Sequence, residues 1–358
     1  MTTALVLGAT GHIGAHVVRA LLAGGYTVRA ASRSGRHAAV LDGLDVERIA
    51  CDIEDAQQLR RAVDGCELVF HCAGYYPRFN DYRTRAIEQG LRQTRQVFDV
   101  LSRSAARRIV YTSSMATIAP WDGRRLAIEA DAEPWPLRQW RPLYAAVKTA
   151  MEHEARAYAA RGGPVVIVNP SICIGEYDAH TFSGRLVLLF ARGRLPWHLD
   201  APINVVYTGD VGIGHVRAAE RGRTGERYLL AHRNLSVGEF ARLVARAAGV
   251  APPRWRVPQL LLAAAGAAAE LASWPTGRGG VPDIADLHER MRLERDGRRD
   301  EGVGGRLMRV DVPARLDVEP DAHLRPAARP HLPRLMAGGD AHHLVAGRRR
   351  VGRCGGNG

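Results

Sequence analysis

The chain has 358 residues, enough to bury a full core as one large domain or as a domain with a smaller lobe. Hydrophobic residues make up 46% and charged residues 24%, which is ordinary for a soluble globular protein. The formal charge of +13 would suit a nucleic-acid partner, but the arginines are spread along the whole chain rather than gathered on one helix or arm, so no nucleic acid is expected.

Five cysteines (Cys51, Cys66, Cys72, Cys173 and Cys354) form no CxxC pair and no metal spacing with histidine. No metal is expected, and the setting reads as reduced and cytoplasmic. "MTTALVLGATGHIG" has no basic segment followed by a long apolar stretch, so no signal peptide is expected. The longest apolar run, Pro258 to Trp274, is short for a bilayer and carries Glu270. It reads as a buried or pocket-covering helix, and no membrane span is expected.

In chain order, Ala4 to Leu7 is a continuous apolar run, as expected of a parallel strand covered on both faces. Gly8, Gly11 and Gly14 follow, then Ile13, Val17, Val18, Leu21 and Leu22 at helical spacing, with Gly24-Gly25 as the stop. Strand, glycine loop, helix and second strand (Tyr26 to Ala31) together read as a dinucleotide site. Glycine lets the backbone turn sharply, approach a pyrophosphate and pack the helix on the sheet, with the anion on free helix N–H groups. After the second strand stands "ASRSGR", with no acid for a ribose 2′-OH but with Ser32, Arg33 and Arg36. That favours NADPH, with Arg33 against the 2′-phosphate and NAD as the alternative. "VERIACDIED" places Asp52 past a strand, where it could accept from an adenine amino group. "CELVFHCAGYY" ends a strand in Cys72-Ala73-Gly74, "RRIVYTSSM" ends one in Ser113-Ser114, and "PVVIVNPSICIG" is a sixth. Alternating strands and helices imply a parallel sheet with right-handed crossovers.

Of the 50 Lys and Arg residues only Lys148 is lysine, four residues after Tyr144 and hence on the same helical face. The arginine excess fits a GC-rich coding sequence. A lysine survives where a compact, rotatable ammonium is needed and a planar guanidinium is no substitute. Carbonyl reduction requires a proton donor at the developing alkoxide, and a tyrosine serves if a neighbouring cation depresses its pKa.

"GATGHIG", "CDI", "HCAG", "YTSS", "YAAVK" and "VNPSICIG", in this order over residues 1 to 275, resemble the extended short-chain dehydrogenase/reductase family. "NVVYTGDVGIGH" and "GERYLL" bring the chain nearest its dihydroflavonol-reductase-like and hopanoid-associated branch. The resemblance implies an α/β fold: a Rossmann-type doubly wound parallel sheet over 1–175 and a smaller substrate lobe over 176–275, some of whose strands may rejoin the sheet. It implies catalysis by Ser114, Tyr144 and Lys148, with Ser113 the alternative serine because "TSS" allows a slip of one. Cofactor contacts are implied for Gly8, Thr10, Gly11, His12, Ile13, Gly14, Arg33, Asp52, Ile53, Cys72, Ala73, Gly74, Tyr144, Lys148, Asn169, Pro170 and Ser171. A homodimer through the Tyr144 helix is a further implication.

The chain departs from the family twice. Gly90 stands where an asparagine is common, and beyond Trp274 there is no aromatic residue. The Arg- and Gly-rich stretch 276–358 reads as a poorly ordered tail, from either a reading-frame slip near Met291 to Arg295 or a natural basic extension. The expected function is NADPH-dependent reduction of a small, partly apolar ketone or aldehyde. The alternatives are an NAD-recycling sugar epimerase or dehydratase and a regulator without turnover. Tyr75, Tyr76, Phe79, Phe182 and Trp197 are candidate pocket walls, and Asp210 is expected to cap the helix that follows it.

Overall fold

A computed structural model describes residues 2–33, 39–78, 81–118, 127–131, 143–178, 183–199 and 201–257. Arg36, Phe79, Phe182, the Pro258–Trp274 run and the 276–358 stretch lie outside them. The described residues belong to the first of two units of the chain, Met1–Arg292.

The apolar opening run forms β1 (Thr3–Leu7), and the glycine loop leads into α1 (His12–Ala23) and β2 (Thr27–Ser32). Then follow β3 (Glu47–Ala50), α2 (Ala56–Val63), β4 (Leu68–His71), α3 (Arg83–Ser102) and β5 (Arg108–Thr112). A short 3-10 turn, Met115–Thr117, precedes α4 (Leu143–Ala160) and β6 (Val165–Pro170). The rest comprises β7 (Ile172–Ile174), α5 (Gly184–Ala191), β8 (Trp197–Leu199), β9 (Pro202–Tyr207), α6 (Thr208–Arg221), β10 (Arg227–Leu230), β11 (Arg233–Ser236), α7 (Val237–Ala248) and β12 (Trp255–Val257).

Among the described residues, seven strands form one sheet in the order β10-β6-β5-β4-β1-β2-β3, and every pairing is parallel. Chain direction across the sheet reverses between β1 and β4. That switch point leaves a crevice beyond the strand C-termini, the usual ligand position in such sheets. The alternation within β1 shows why its run is wholly apolar. Leu5 and Leu7 pack with α2, α3 and α4 side chains such as Leu59, Val97 and Met151, whereas Ala4 and Val6 pack with Val17, Leu21 and Val211 on the other face. Each fully buried leucine or valine contributes about 2 kcal/mol.

Past β6 the chain builds a smaller region. A three-stranded sheet β11-β9-β7 and a β12-β8 pair enclose a core of Phe190, Leu235, Val237, Phe240 and Ala241. Two elements return to the main sheet. β10 pairs with β6, and α6 lies on α1 so closely that a β-carbon on Gly212 would stand 2.6 Å from the His16 carbonyl oxygen. Asp210 does not cap α6. The helix begins at Thr208 with Tyr207 as N-cap, which places Asp210 in the first turn, where a carboxylate opposes the positive end of the helix dipole.

Candidate active site

Segments at the C-terminal ends of the parallel strands line the crevice. The first is the glycine loop. Gly8 has φ +80, a conformation that side chains disfavour, and a β-carbon there would stand 2.9 Å from the Ala73 nitrogen. At Gly14 the same atom would come 2.1 Å from the Gly8 oxygen. No side chain caps α1, whose N-cap is Gly11, and no acid sits in its first turn. The helix therefore presents backbone donors and its positive end to the crevice. This cradle suits a pyrophosphate, with Gly8, Thr10, Gly11, Ile13 and Gly14 around it. His12 turns aside instead: its Nε2 meets Thr208 Oγ1 at 2.8 Å, and burial lowers its pKa.

At the end of β2, Arg33 is exposed, as a cation for a 2′-phosphate must be. Asp52 accepts from the Glu54 amide at 3.0 Å, which fixes the turn into α2, and Ile53 is buried beside it. After β4 come Cys72, Ala73 and Gly74. Burial drives the Cys72 thiol up to about 12, so it stays protonated.

The tyrosine and lysine singled out in the sequence sit on α4. Lys148 is 3% exposed, and a β-carbon on Gly74 would lie 2.9 Å from its Nζ, so glycine there makes room for the ammonium. Burial lowers the Lys148 pKa to about 8, and no carboxylate among the described residues pairs with it. Nζ lies 4.3 Å from the centre of the Tyr76 ring and 5.7 Å from that of Tyr144. Tyr144 has Ser114 and Tyr76 as hydrogen-bonding neighbours. Burial raises its pKa, and these two hydroxyls pull it back. The sequence reading has Lys148 depress the phenol. In the structure burial is the largest influence on the phenol, and its pKa is raised.

Ser113 and Ser114 point opposite ways, as neighbours at the end of a strand do. Ser114 faces Tyr144 and accepts from the Ala116 amide at 3.2 Å. Ser113 donates to Glu152 Oε2 at 2.5 Å inside the protein. Glu152, 2% exposed, also receives Thr117 Oγ1 at 2.6 Å and Asn169 Nδ2 at 2.7 Å, and its other oxygen pairs with Arg227 at 3.2 Å. Asn169 also donates to the Ser114 carbonyl at 3.1 Å and is fully buried, so its side chain positions the serine turn and does not reach the crevice. Pro170 and Ser171 close the end of β6, both buried.

Glu152 and Arg227 escape the sequence reading. Glu152 carried a signal, since it stands eight residues after Tyr144 on one helical face; Arg227, one arginine among many, carried none. Gly90 lies where α3 and α4 approach closely: a β-carbon there would meet Met151 and Val147 side-chain atoms at 3.1 Å, so a larger residue requires them to give way. Of the other aromatics, Tyr75 donates to Asp81 at 2.7 Å, and Trp197 lies in β8.

An all-parallel sheet with a glycine cradle at its switch point and a tyrosine–lysine helix beside it defines an NAD(P)-dependent oxidoreductase of the extended short-chain dehydrogenase/reductase type. A sequence profile of the NAD dependent epimerase/dehydratase family matches residues 4–231, and the chain belongs to that family. It is 34% identical over 265 residues to "Sterol demethylase protein B" of Methylococcus capsulatus, covering 73% of this chain and 79% of that one. It is 28% identical over 256 residues to "Cinnamoyl-CoA reductase 2" of Arabidopsis thaliana, covering 67% and 76%. The crystal structure of gox2253 superposes with a TM-score of 0.70 at 28% identity, over 77% of this chain and 84% of that one. No helix among the described residues is long and apolar enough to cross a membrane.

Proposed function

We propose that this protein is an NADPH-dependent carbonyl reductase acting on a small or medium, partly apolar ketone or aldehyde. The observation that carries the reading is the meeting of Ser114, Tyr144 and Lys148 at the sheet edge beside Gly74. Residues 1–175 serve as the cofactor domain and 176–275 as the substrate lobe. The glycine cradle holds the pyrophosphate, and Arg33 holds the 2′-phosphate that distinguishes NADPH from NADH. When bound, the reduced nicotinamide supplies the hydride.

The chain's own groups do the rest. Lys148, a charged donor at neutral pH, hydrogen-bonds the ribose hydroxyls and favours charge on the Tyr144 oxygen. Ser114 donates to the substrate oxygen, where negative charge grows as the carbonyl is reduced. Tyr144 gives that oxygen its hydroxyl proton, and the product is the alcohol. The enclosure that raises the Tyr144 pKa keeps it protonated until then.

Nucleotide binding is the test. Any nucleotide released from the purified protein is identified, and the protein is then titrated with NADPH and NADH. Tighter binding of added NADPH supports the reading and leads to a carbonyl panel with Tyr144→Phe as control, expected to bind nucleotide but lose turnover. Stoichiometric bound NAD would overturn it in favour of an epimerase that recycles its cofactor.

A further inference from the structure

Tyr76 is a second phenol in the site, and the proposed reaction leaves it without a task. Its ring centre lies 5.5 Å from that of Tyr144, with 31° between the planes, and the Lys148 ammonium lies 4.3 Å from the same ring centre. Tyr144 is only partly exposed, whereas 52% of Tyr76 is open to water. A tyrosine that has given up a proton in this enclosure needs a way to regain one.

We propose that Tyr76 is the relay through which Tyr144 recovers its proton from solvent. The proposal rests on the reductase reading and completes its proton balance. The Tyr144 O–H bond breaks as the reduced carbonyl takes the proton. The Tyr76 hydroxyl, hydrogen-bonded to the Tyr144 oxygen, passes its proton across as water on its exposed side supplies another in the same event, so that no Tyr76 anion is formed. One proton enters from solvent for each alcohol formed, with no other reactant. Tyr76 thus acts through Tyr144 and does not touch the substrate oxygen.

Direction follows from the charges. Charge on Tyr144 pushes the Tyr76 pKa far above its ordinary value, so Tyr144 is the phenol that ionises and Tyr76 the one that donates. The other titratable groups facing the pair are Lys148 on α4, Cys173 on β7, Asp178 beyond it, Tyr111 on β5 and, through Lys148, His71 on β4. Tyr76→Phe leaves all of them in place and keeps the ring over the ammonium.

The test combines a titration that needs no substrate with steady-state kinetics. In protein labelled with ζ-13C-tyrosine, the Tyr144 signal is assigned by its loss in Tyr144→Phe. Removing a hydrogen bond to the tyrosinate in Tyr76→Phe should move the Tyr144 midpoint up by about one pH unit. In turnover, kcat should fall about ten-fold or more with KM unchanged, and imidazole buffer should restore it by delivering the proton directly. An unmoved midpoint, or a kcat loss that imidazole does not relieve, overturns the relay while Tyr144→Phe still abolishes turnover. Turnover that survives Tyr144→Phe overturns the relay and the reductase reading together.

Discussion

Glu152→Gln tests whether the buried carboxylate is the anchor of the site. The side chain keeps its shape and loses its charge, so the outcome depends on the donors around it. Oε2 receives three donors, Ser113, Thr117 and Asn169, at 2.5, 2.6 and 2.7 Å, and Oε1 faces Arg227 at 3.2 Å. An amide nitrogen placed at the first position turns its hydrogens on three donors; at the second it turns them on a guanidinium. Neither flip satisfies the site, and Arg227, 9% exposed at the side chain, is left as an uncompensated charge. Breaking such a pair from one side costs about 3–5 kcal/mol. For a folded unit of this size that lowers Tm by about 6 to 20 °C. Urea unfolding of the whole chain reads the difference directly. Adding Arg227→Met to Glu152→Gln should cost less than Arg227→Met alone, because the amide oxygen can then serve the three donors, with a coupling of about 0.5–3 kcal/mol. A single-variant loss below about 1 kcal/mol, or strict additivity of the pair, would refute the anchor.

Gly14→Ala should abolish nucleotide binding by isothermal titration, since its new carbon would overlap the Gly8 carbonyl at 2.1 Å; retained affinity would count against the cradle. Arg33→Ala should weaken NADPH about 10- to 100-fold, the worth of a charged hydrogen bond, and leave NADH nearly unchanged; equal losses would remove Arg33 from the 2′-phosphate. Lys148→Met should stabilise the fold at pH 7 by about 3 kcal/mol, because burial drops the Lys148 pKa from 10.5 to about 8 and the charged form is penalised in the folded state. Between about pH 8 and 10.5 the wild-type folded state has released a proton that the unfolded state still holds. Wild-type stability therefore rises through that window and the advantage of the methionine variant closes; a pH-independent difference would contradict the shift.

How much was legible depended on whether the physics was local. The glycine spacing announces a tight loop, and the structure shows Gly14 against Gly8 within it, while the contact of Gly8 with Ala73 comes from a distant strand end. The apolar β1 run likewise tells of two covered faces. Membership of the extended short-chain family, readable in six ordered motifs, holds for residues 4–231. The sequence reading prefers Ser114 on its motif alone, and what separates the two serines in space, the hydroxyl of Ser113 meeting Glu152 from 39 residues away, has no local signal. Asn169 reads as a cofactor residue by its motif, and its amide nitrogen donates inside the protein to Glu152 and the Ser114 carbonyl, contacts that no spacing in the chain marks. The net direction of the Tyr144 pKa was also out of reach, since it depends on how deeply the third dimension buries the phenol. Arg227 lay in a strand that returns to the main sheet after a long excursion, and no spacing in the chain marks it.

The two cations around α4 show why the chain keeps both basic side chains. Arg227 serves three acceptors at once: Nη1 reaches Glu152, and Nη2 reaches the carbonyls of Glu129 and, at 3.4 Å, Asp131. Divergent acceptors of this kind match a rigid planar fork and not a point charge. Lys148 has the opposite surroundings, a glycine with no side chain on one side and the Tyr76 ring on the other. A guanidinium is wider and planar, and it would not give up its charge on burial as an amine near pH 8 can. Tyr144, Lys148 and Glu152 follow one another at intervals of four along α4. The helix thus presents, on one face, a phenol, a cation and the carboxylate that holds the serine turn opposite them. At Lys148 both shape and pKa distinguish a lysine from an arginine, and there the chain carries its one lysine.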